Sequence, residues 1–225
     1  MTVIDNVPSW STSTIELFHN CPYWYFREKV KKDKRREFAG EAAEHGQYLH
    51  KRMEERLRDK RPLPSDLLNK YPELEDHAQR LEALGGDMLV EHQMAINRQL
   101  EPTDWFAPDA WGRAAADVLI RNGNEITVVD WKTGRVKKPT LQSHVLAFIT
   151  MCHFRDVRRI TTEFVFVKAN KIEGETYEAG DFAFLAKYIA DQMVDIARAY
   201  EHSAWPRNPT GLCAWCPVDD CQHKR

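Results

Sequence analysis

The chain has 225 residues, 43% of them hydrophobic, which suits one domain, or one domain with a small appendage, and a substantial core. Lys and Arg number 32 against 34 Asp and Glu, a formal net charge of −2, which excludes binding of a polyanion through bulk charge and leaves only local patches for that purpose. No apolar stretch approaches the ~20 residues of a spanning helix, and Met1 to Ser11 lacks the charged-then-apolar order of a signal peptide; the expectation is a cytoplasmic protein, in a host cytoplasm if the chain is viral, with no membrane partner.

Ser11-Thr12-Ser13-Thr14 offers N-cap residues, with Glu16 completing a capping box on Ser13. The helix that follows carries Ile15, Leu17, Phe18, Trp24, Tyr25 and Phe26, interrupted by Cys21-Pro22. Proline inside a helix costs roughly 3 kcal/mol, so Pro22 predicts a break or a new first turn just after Cys21. A ligand thiolate presented there would justify the break; a small buried hydrophobe is the alternative. Arg27 to Arg36 holds seven Lys/Arg against Glu28 and Asp33, either a solvated helix face or a phosphate-tracking patch.

Ala39 to Arg58 reads as a long helix without proline. Gly46 inside it costs about 1 kcal/mol relative to alanine and marks close approach of another backbone or a ligand. His50, four residues on, shares its face and could serve as a neutral imidazole ligand, with His45 as a competitor. Lys60 to Pro72 is predicted as an irregular insertion and Glu73 to Leu84 as a short helix ending at Gly85-Gly86. Met88 to Leu100 reads as a strand with Glu91 as a possible extra acid, and Pro102 to Trp111 as a loop with aromatics.

Val118 to Ile120 and Ile126 to Val129 are β-branched runs flanking Asn122-Gly123-Asn124, the composition of a hairpin whose turn needs positive φ. Asp117 is expected to open the first strand and Asp130 to close the second, so both carboxylates fall toward one sheet edge, able to hold a hard cation. Lys132, two residues after Asp130, points to the same face. Carboxylates, a divalent ion and an ammonium together match what phosphodiester hydrolysis needs. Arg113, Arg135, Lys137 and Lys138 add basic charge to that edge, suited to a polyanionic substrate.

Thr140 to Phe154 is predicted as an amphipathic helix, with Gln142 near its start facing the same edge. Thr161 to Lys168 reads as a further strand and Asp181 to Tyr200 as a long amphipathic helix. The order of elements predicts an α/β (α+β) domain around a small mixed sheet.

An odd total of five cysteines argues against a disulfide framework and for metal ligation. Cys213, Cys216 and Cys221 crowd the segment Trp205 to Arg225, which lacks periodicity and needs something to pin it. With His223 they could bind zinc; with Cys21 they could hold an iron-sulfur cluster that clasps the two ends of the chain.

Taken together, these motifs resemble the RecB-like branch of the PD-(D/E)XK nucleases, especially its iron-sulfur members, the AddB-type domains and the CRISPR-adaptation nucleases. Ser13 to Phe26 resembles the family's N-terminal helix ending in Cys-Pro, and Gly46 to His50 its glycine-to-histidine motif. Asp117 resembles its first catalytic acid, Asp130-Trp131-Lys132-Thr133-Gly134 its D-x-K-T-G signature, and Gln142 the glutamine of the following helix. Leu146 stands where the family usually has tyrosine. The resemblance implies a restriction-endonuclease-like fold in a single domain over 1–225, with an N-terminal cluster-linked helix (1–38), a core (39–204) and a Cys-rich tail (205–225). It implies Mg2+ or Mn2+ on His50, Asp117, Asp130 and the Trp131 carbonyl, with Asp117, Asp130, Lys132 and Gln142 as the catalytic set. It implies a 4Fe-4S cluster on Cys21, Cys213, Cys216 and Cys221. The implied activity is a DNA exonuclease of recombination, repair or phage metabolism, with a helicase or recombination protein as a possible partner and no oligomeric state specified. A catalytically silent DNA-binding subunit and a zinc-binding interaction protein are the competing functions.

Overall fold

The computed structural model describes residues 7–33 and 40–224, and the chain divides into two compact units, Ala39–Ala186 and Met1–Phe38 with Lys187–Arg225. Lys34, Arg35 and Arg36 of the basic run, and Ala39 at the expected helix start, lie outside the described residues.

The larger unit is built on a mixed six-stranded sheet in the order β2-β1-β3-β4-β5-β6. The strands are β1 (Asp87–Ile96), β2 (Pro102–Thr103), β3 (Gly112–Asn122), β4 (Glu125–Lys132), β5 (Arg159–Phe166) and β6 (Lys171–Glu178). Only the β4/β5 pair is parallel, and the crossover between them is helix α6 (Thr140–His153). The β3/β4 hairpin turns where its composition predicted, with Gly123 at φ +60. One face of the sheet, carrying Val118, Ile120, Val129, Trp131 and Val165, packs on α3 (Glu41–Asp59), α4 (Ser65–Lys70) and α5 (Leu74–Ala83) through Leu49, Met53, Leu67 and Leu81, all nearly or fully buried. Burying side chains of this size stabilises the fold by about 1.5–3 kcal/mol each.

Several expectations are corrected. The segment read as an irregular insertion contains α4, whose Leu67 enters the core. β1 stops at Ile96 because the Asn97 side chain accepts from the Gln99 and Glu101 amides at 2.9 Å each and turns the chain into β2. Asp117 does not open its strand: β3 begins at Gly112, since Gly112 to Ala116 pair with β1. Helix α6 is not amphipathic but buried continuously from Ser143 to Cys152, lying on the sheet with Phe182 against Phe148 on its other side. β6 carries no strand signature in its sequence, which is polar and buries only Tyr177. It approaches its neighbour so closely at Gly174 that a Cβ there would lie 1.8 Å from the Thr162 carbonyl oxygen. Gly174→Ala is therefore expected to lower stability by about 1–3 kcal/mol or more, seen as a drop in melting temperature.

In the smaller unit, α1 (Thr12–Asn20) is capped by Ser11 rather than Ser13: the Ser11 amide donates to Thr14 Oγ1 at 2.7 Å, and Thr14, not Glu16, is its capping partner. Cys21 is extended, and Pro22 opens the short helix α2 (Pro22–Tyr25), the break its sequence predicted. A π-helical turn, Phe26–Val30, follows. Trp205 stacks on Tyr25 and Phe26 with ring centroids 5.9 and 5.4 Å apart, and the part of α7 (Phe182–His202) that belongs to this unit, from Lys187 on, buries Met193, Ile196 and Ala197. The tail is not wholly irregular, since Gly211–Trp215 forms a 3-10 turn capped by Thr210. No helix among the described residues is long and apolar enough to cross a membrane.

Candidate active site

β3 and β4 stop exchanging backbone hydrogen bonds at Val118 and Val129. Beyond that point the Trp131 amide, which would have continued the ladder, donates instead to Asp117 Oδ2 at 2.7 Å. The strands thus split where the two acids stand, and a carboxylate occupies the gap. From α3, His50 Nδ1 donates to Asp117 Oδ1 at 3.0 Å. Gly46, one turn earlier, faces Thr133, whose Oγ1 would lie 3.4 Å from an added Cβ. His45 is drawn off to Tyr71, 2.7 Å from its hydroxyl, and has no part in the cluster.

Glu91, named above only as a possible extra acid, belongs here. Ligand atoms of His50, Glu91 and Asp117 all lie within 4.8 Å of one another. Glu91 adopts φ +54 inside β1, a conformation that costs a non-glycine residue about 1–2 kcal/mol and gathers at functional sites. Strand periodicity carries no sign of such a distortion, so the role of Glu91 is not legible from its position in the strand.

On the other side of the gap Asp130 is 7% exposed. Gln142 Nε2, from the first turn of α6, donates to its Oδ1 at 2.6 Å. Lys132 Nζ stands 2.6 Å from Oδ2 as an ion pair but without hydrogen-bond alignment, so this buried oxygen has no directional donor. Lys132 also lies over the Phe164 ring at 5.6 Å. The Trp131 side chain is in the core, and its carbonyl lies on the strand between Asp130 and Lys132.

Burial, reinforced by the Asp117 charge, raises the Asp130 pKa above the ordinary carboxylate value against the opposing pull of Lys132 and His50. Burial alone would lower His50, but the Asp117 hydrogen bond and the charges of Asp117, Asp130 and Glu91 outweigh it and raise the pKa. Burial and the neighbouring Asp117 and Glu54 also raise Glu91. His50, Glu91 and Asp117 gather hard oxygens and one imidazole, a donor set that suits a divalent cation, and Asp130 does not fall in that group of three.

Both leading shifts have the same consequence for the metal-free protein. An acid with a raised folded pKa destabilises once pH exceeds its unfolded value, and a histidine with a raised folded pKa loses its contribution as pH climbs through that pKa. The metal-free site therefore weakens with rising pH, and a cation replaces the protons. A fixed Mn2+ concentration is expected to raise the melting temperature more at pH 8 than at pH 6, its stabilisation reaching about 2.7 kcal/mol where that concentration is 100 times the dissociation constant. Asp130→Asn should flatten that difference, as scanning fluorimetry would show.

The basic residues expected to meet DNA are dispersed. Arg135 and Lys137 are exposed, whereas Lys138 is paired with Glu175 at 2.6 Å. Arg113 stacks over Trp105 at 5.9 Å and donates to its carbonyl at 2.9 Å.

In the smaller unit Cys21, Cys213, Cys216 and Cys221 line one pocket, together with Trp24 and His223. All are free thiols. Burial, with the nearby Cys21 and Cys221 adding to it, raises the Cys216 thiol pKa. Hydrogen bonds from the Tyr23 amide to the Pro206 carbonyl at 3.1 Å and from Asn208 Nδ2 to the Asn20 carbonyl at 3.0 Å bring the two cysteine-bearing segments together. Cys152 is elsewhere, fully buried in α6 with its thiol pKa pushed up to about 11, and is inert filling.

Among curated proteins none matches this chain. One solved structure, the crystal structure of SSO0001, aligns over 98% of this chain and 89% of its own, at 14% identity and a TM-score of 0.47, a likeness too distant to bear on function. Residues 9–221 match the profile of the PD-(D/E)XK nuclease superfamily, a span that holds the split strands, the acids and the cysteine pocket, and the chain belongs to that superfamily.

Proposed function

We propose that this PD-(D/E)XK nuclease is a metal-dependent DNA exonuclease of the RecB-like, iron-sulfur branch, acting on single strands or DNA ends in recombination, repair or phage DNA metabolism. The observation that carries the nuclease reading is the junction at the strand split, with His50 on Asp117, Asp117 on the Trp131 amide, and Asp130 between Gln142 and Lys132. His50, Asp117, Asp130 and the Trp131 carbonyl, with Glu91 added, would hold Mg2+ or Mn2+, which supplies charge stabilisation at the scissile phosphate. The chain's own residues do the rest. Gln142 holds Asp130 in one orientation, Asp117 fixes the strand that carries it, and Lys132 orients the attacking water. Arg135 and Lys137, both exposed, are the candidates for phosphate contact; a helicase or recombination protein is the kind of partner such a nuclease would join. The preference for exonuclease action rests on the family resemblance.

A 4Fe-4S cluster on Cys21, Cys213, Cys216 and Cys221 suits a pocket that these four thiols line together. Trp24, a turn after Cys21 in α2, also has a buried indole N–H without a protein partner, a donor suited to a sulfide or thiolate. We read residues 1–38 and 205–225 as the cluster-bearing ends of one nuclease domain.

The test is digestion of 5′- and 3′-labelled linear DNA, single- and double-stranded, beside circular single-stranded DNA, with Mn2+ or EDTA. The expected outcome is loss of linear substrate from one end, with circles intact and EDTA abolishing the reaction. Cleaved circles would replace the exonuclease by an endonuclease. Absence of any Mn2+-dependent loss would favour the silent DNA-binding subunit.

A further inference from the structure

β6 is an edge strand of eight residues with a single buried side chain, Tyr177, 5% exposed. Its hydroxyl donates to Glu175 Oε2 at 2.6 Å and lies 2.7 Å from Ser143 Oγ. Ser143 Oγ in turn is 2.6 Å from Thr162 Oγ1 on β5, and both residues are essentially inaccessible, at 1% and 0%. The other Glu175 oxygen takes the Lys138 ammonium at 2.6 Å. The protons run one way along the chain: the Thr162 hydroxyl donates to Ser143, Ser143 to the phenol oxygen and the phenol to Glu175, while Thr162 Oγ1 accepts from the Glu175 amide at 3.3 Å.

The segment held this way is the one that carries Gln142. Helix α6 begins after Pro139 with no side-chain cap bond, so the side-chain bonds that hold its first turn run to other elements. The anchors come from β6: Glu175 grips Lys138 before the helix, and Tyr177 grips Ser143 inside it. Adjacent helical residues point about 100° apart, so seating Ser143 on β5 and β6 swings Gln142 toward β4, where its amide meets Asp130.

We propose that Tyr177 is a positioning residue for the nuclease site, its hydroxyl holding the first turn of α6 so that Gln142 orients Asp130. The inference rests on the assignment of Asp130 and Gln142 to the active site. It makes turnover depend on an edge strand that supplies no metal ligand, because misplacing a reacting group by about 1 Å can cost 100-fold in rate.

The test is Tyr177→Phe, Gln142→Ala and the double variant in the full chain, with metal-dependent DNA hydrolysis and amide hydrogen exchange as readouts. Tyr177→Phe is expected to lower kcat about tenfold with KM for DNA within about twofold, and to speed exchange across residues 139–146. The double variant should be no slower than Gln142→Ala alone, which a merely structural role would not produce. Should Tyr177→Phe fail to fold, Ser143→Ala breaks the same link from the helix side. Wild-type exchange in the variant, or losses that multiply in the double variant, would overturn the proposal. If the wild-type protein shows no metal-dependent hydrolysis, the nuclease reading falls, and the exchange measurement still decides whether Tyr177 holds the helix.

Discussion

Lys132→Ala is expected to lower metal-dependent DNA hydrolysis by about 10³-fold or more, close to 4 kcal/mol of transition-state stabilisation, while leaving melting temperature nearly unchanged. The ammonium is half-buried, at 27% side-chain exposure, and its contacts are the Asp130 carboxylate and the face of Phe164. No main-chain group depends on it, so its removal leaves the strand in place. Its loss does leave Asp130 without its nearest positive charge, and burial already holds that acid above its usual pKa. The variant should therefore bind Mn2+ at least as readily in isothermal titration while failing to cleave. That combination separates a chemical role from a binding one. Purified Lys132→Ala that retained nuclease activity would remove Lys132 from the catalytic set.

The second large effect lies in the smaller unit. Anaerobically purified protein is expected to be brown, and Cys21→Ala to bleach it and lower the melting temperature of that unit. Structural metal centres supply folding free energy of the order of 10 kcal/mol, and here the remaining support is modest. The tail is held by the Trp205 aromatic stack, by Arg27 on Asp220 at 2.5 Å, a pair exposed enough to be worth little, and by two backbone-linked contacts. Visible absorption, iron and sulfide content, and a melt followed by near-ultraviolet circular dichroism would check this. Colourless protein carrying stoichiometric zinc, with Cys21→Ala unaffected, would instead assign the site to Cys213, Cys216, Cys221 and His223.

Much of the site's chemistry was legible in order along the chain. Gly123 announced the hairpin because a tight turn demands positive φ, and Pro22 announced a new helix start because it lacks an N–H. Spacing of two residues placed Lys132 beside Asp130, and their contact at 2.6 Å follows from strand alternation. Other features left no local trace. β6 is a strand because β5 offers it an open edge, not because its own residues are apolar. Helix α6 reads as two-faced, but whether its second face is covered depends on residues far along the chain, such as Phe182.

The sequence by itself determined which chemical groups are available and where local geometry must break, since turn, cap and strand preferences act over a few residues. Only the tertiary structure decided which groups meet. The distorted backbone of Glu91 beside His50 and Asp117, the Asp117 carboxylate filling a split in the sheet, and Tyr177 holding the helix that carries Gln142 all join distant segments. Such contacts are set by how elements pack, and packing optimises the whole sheet and its helices at once rather than any stretch of residues alone.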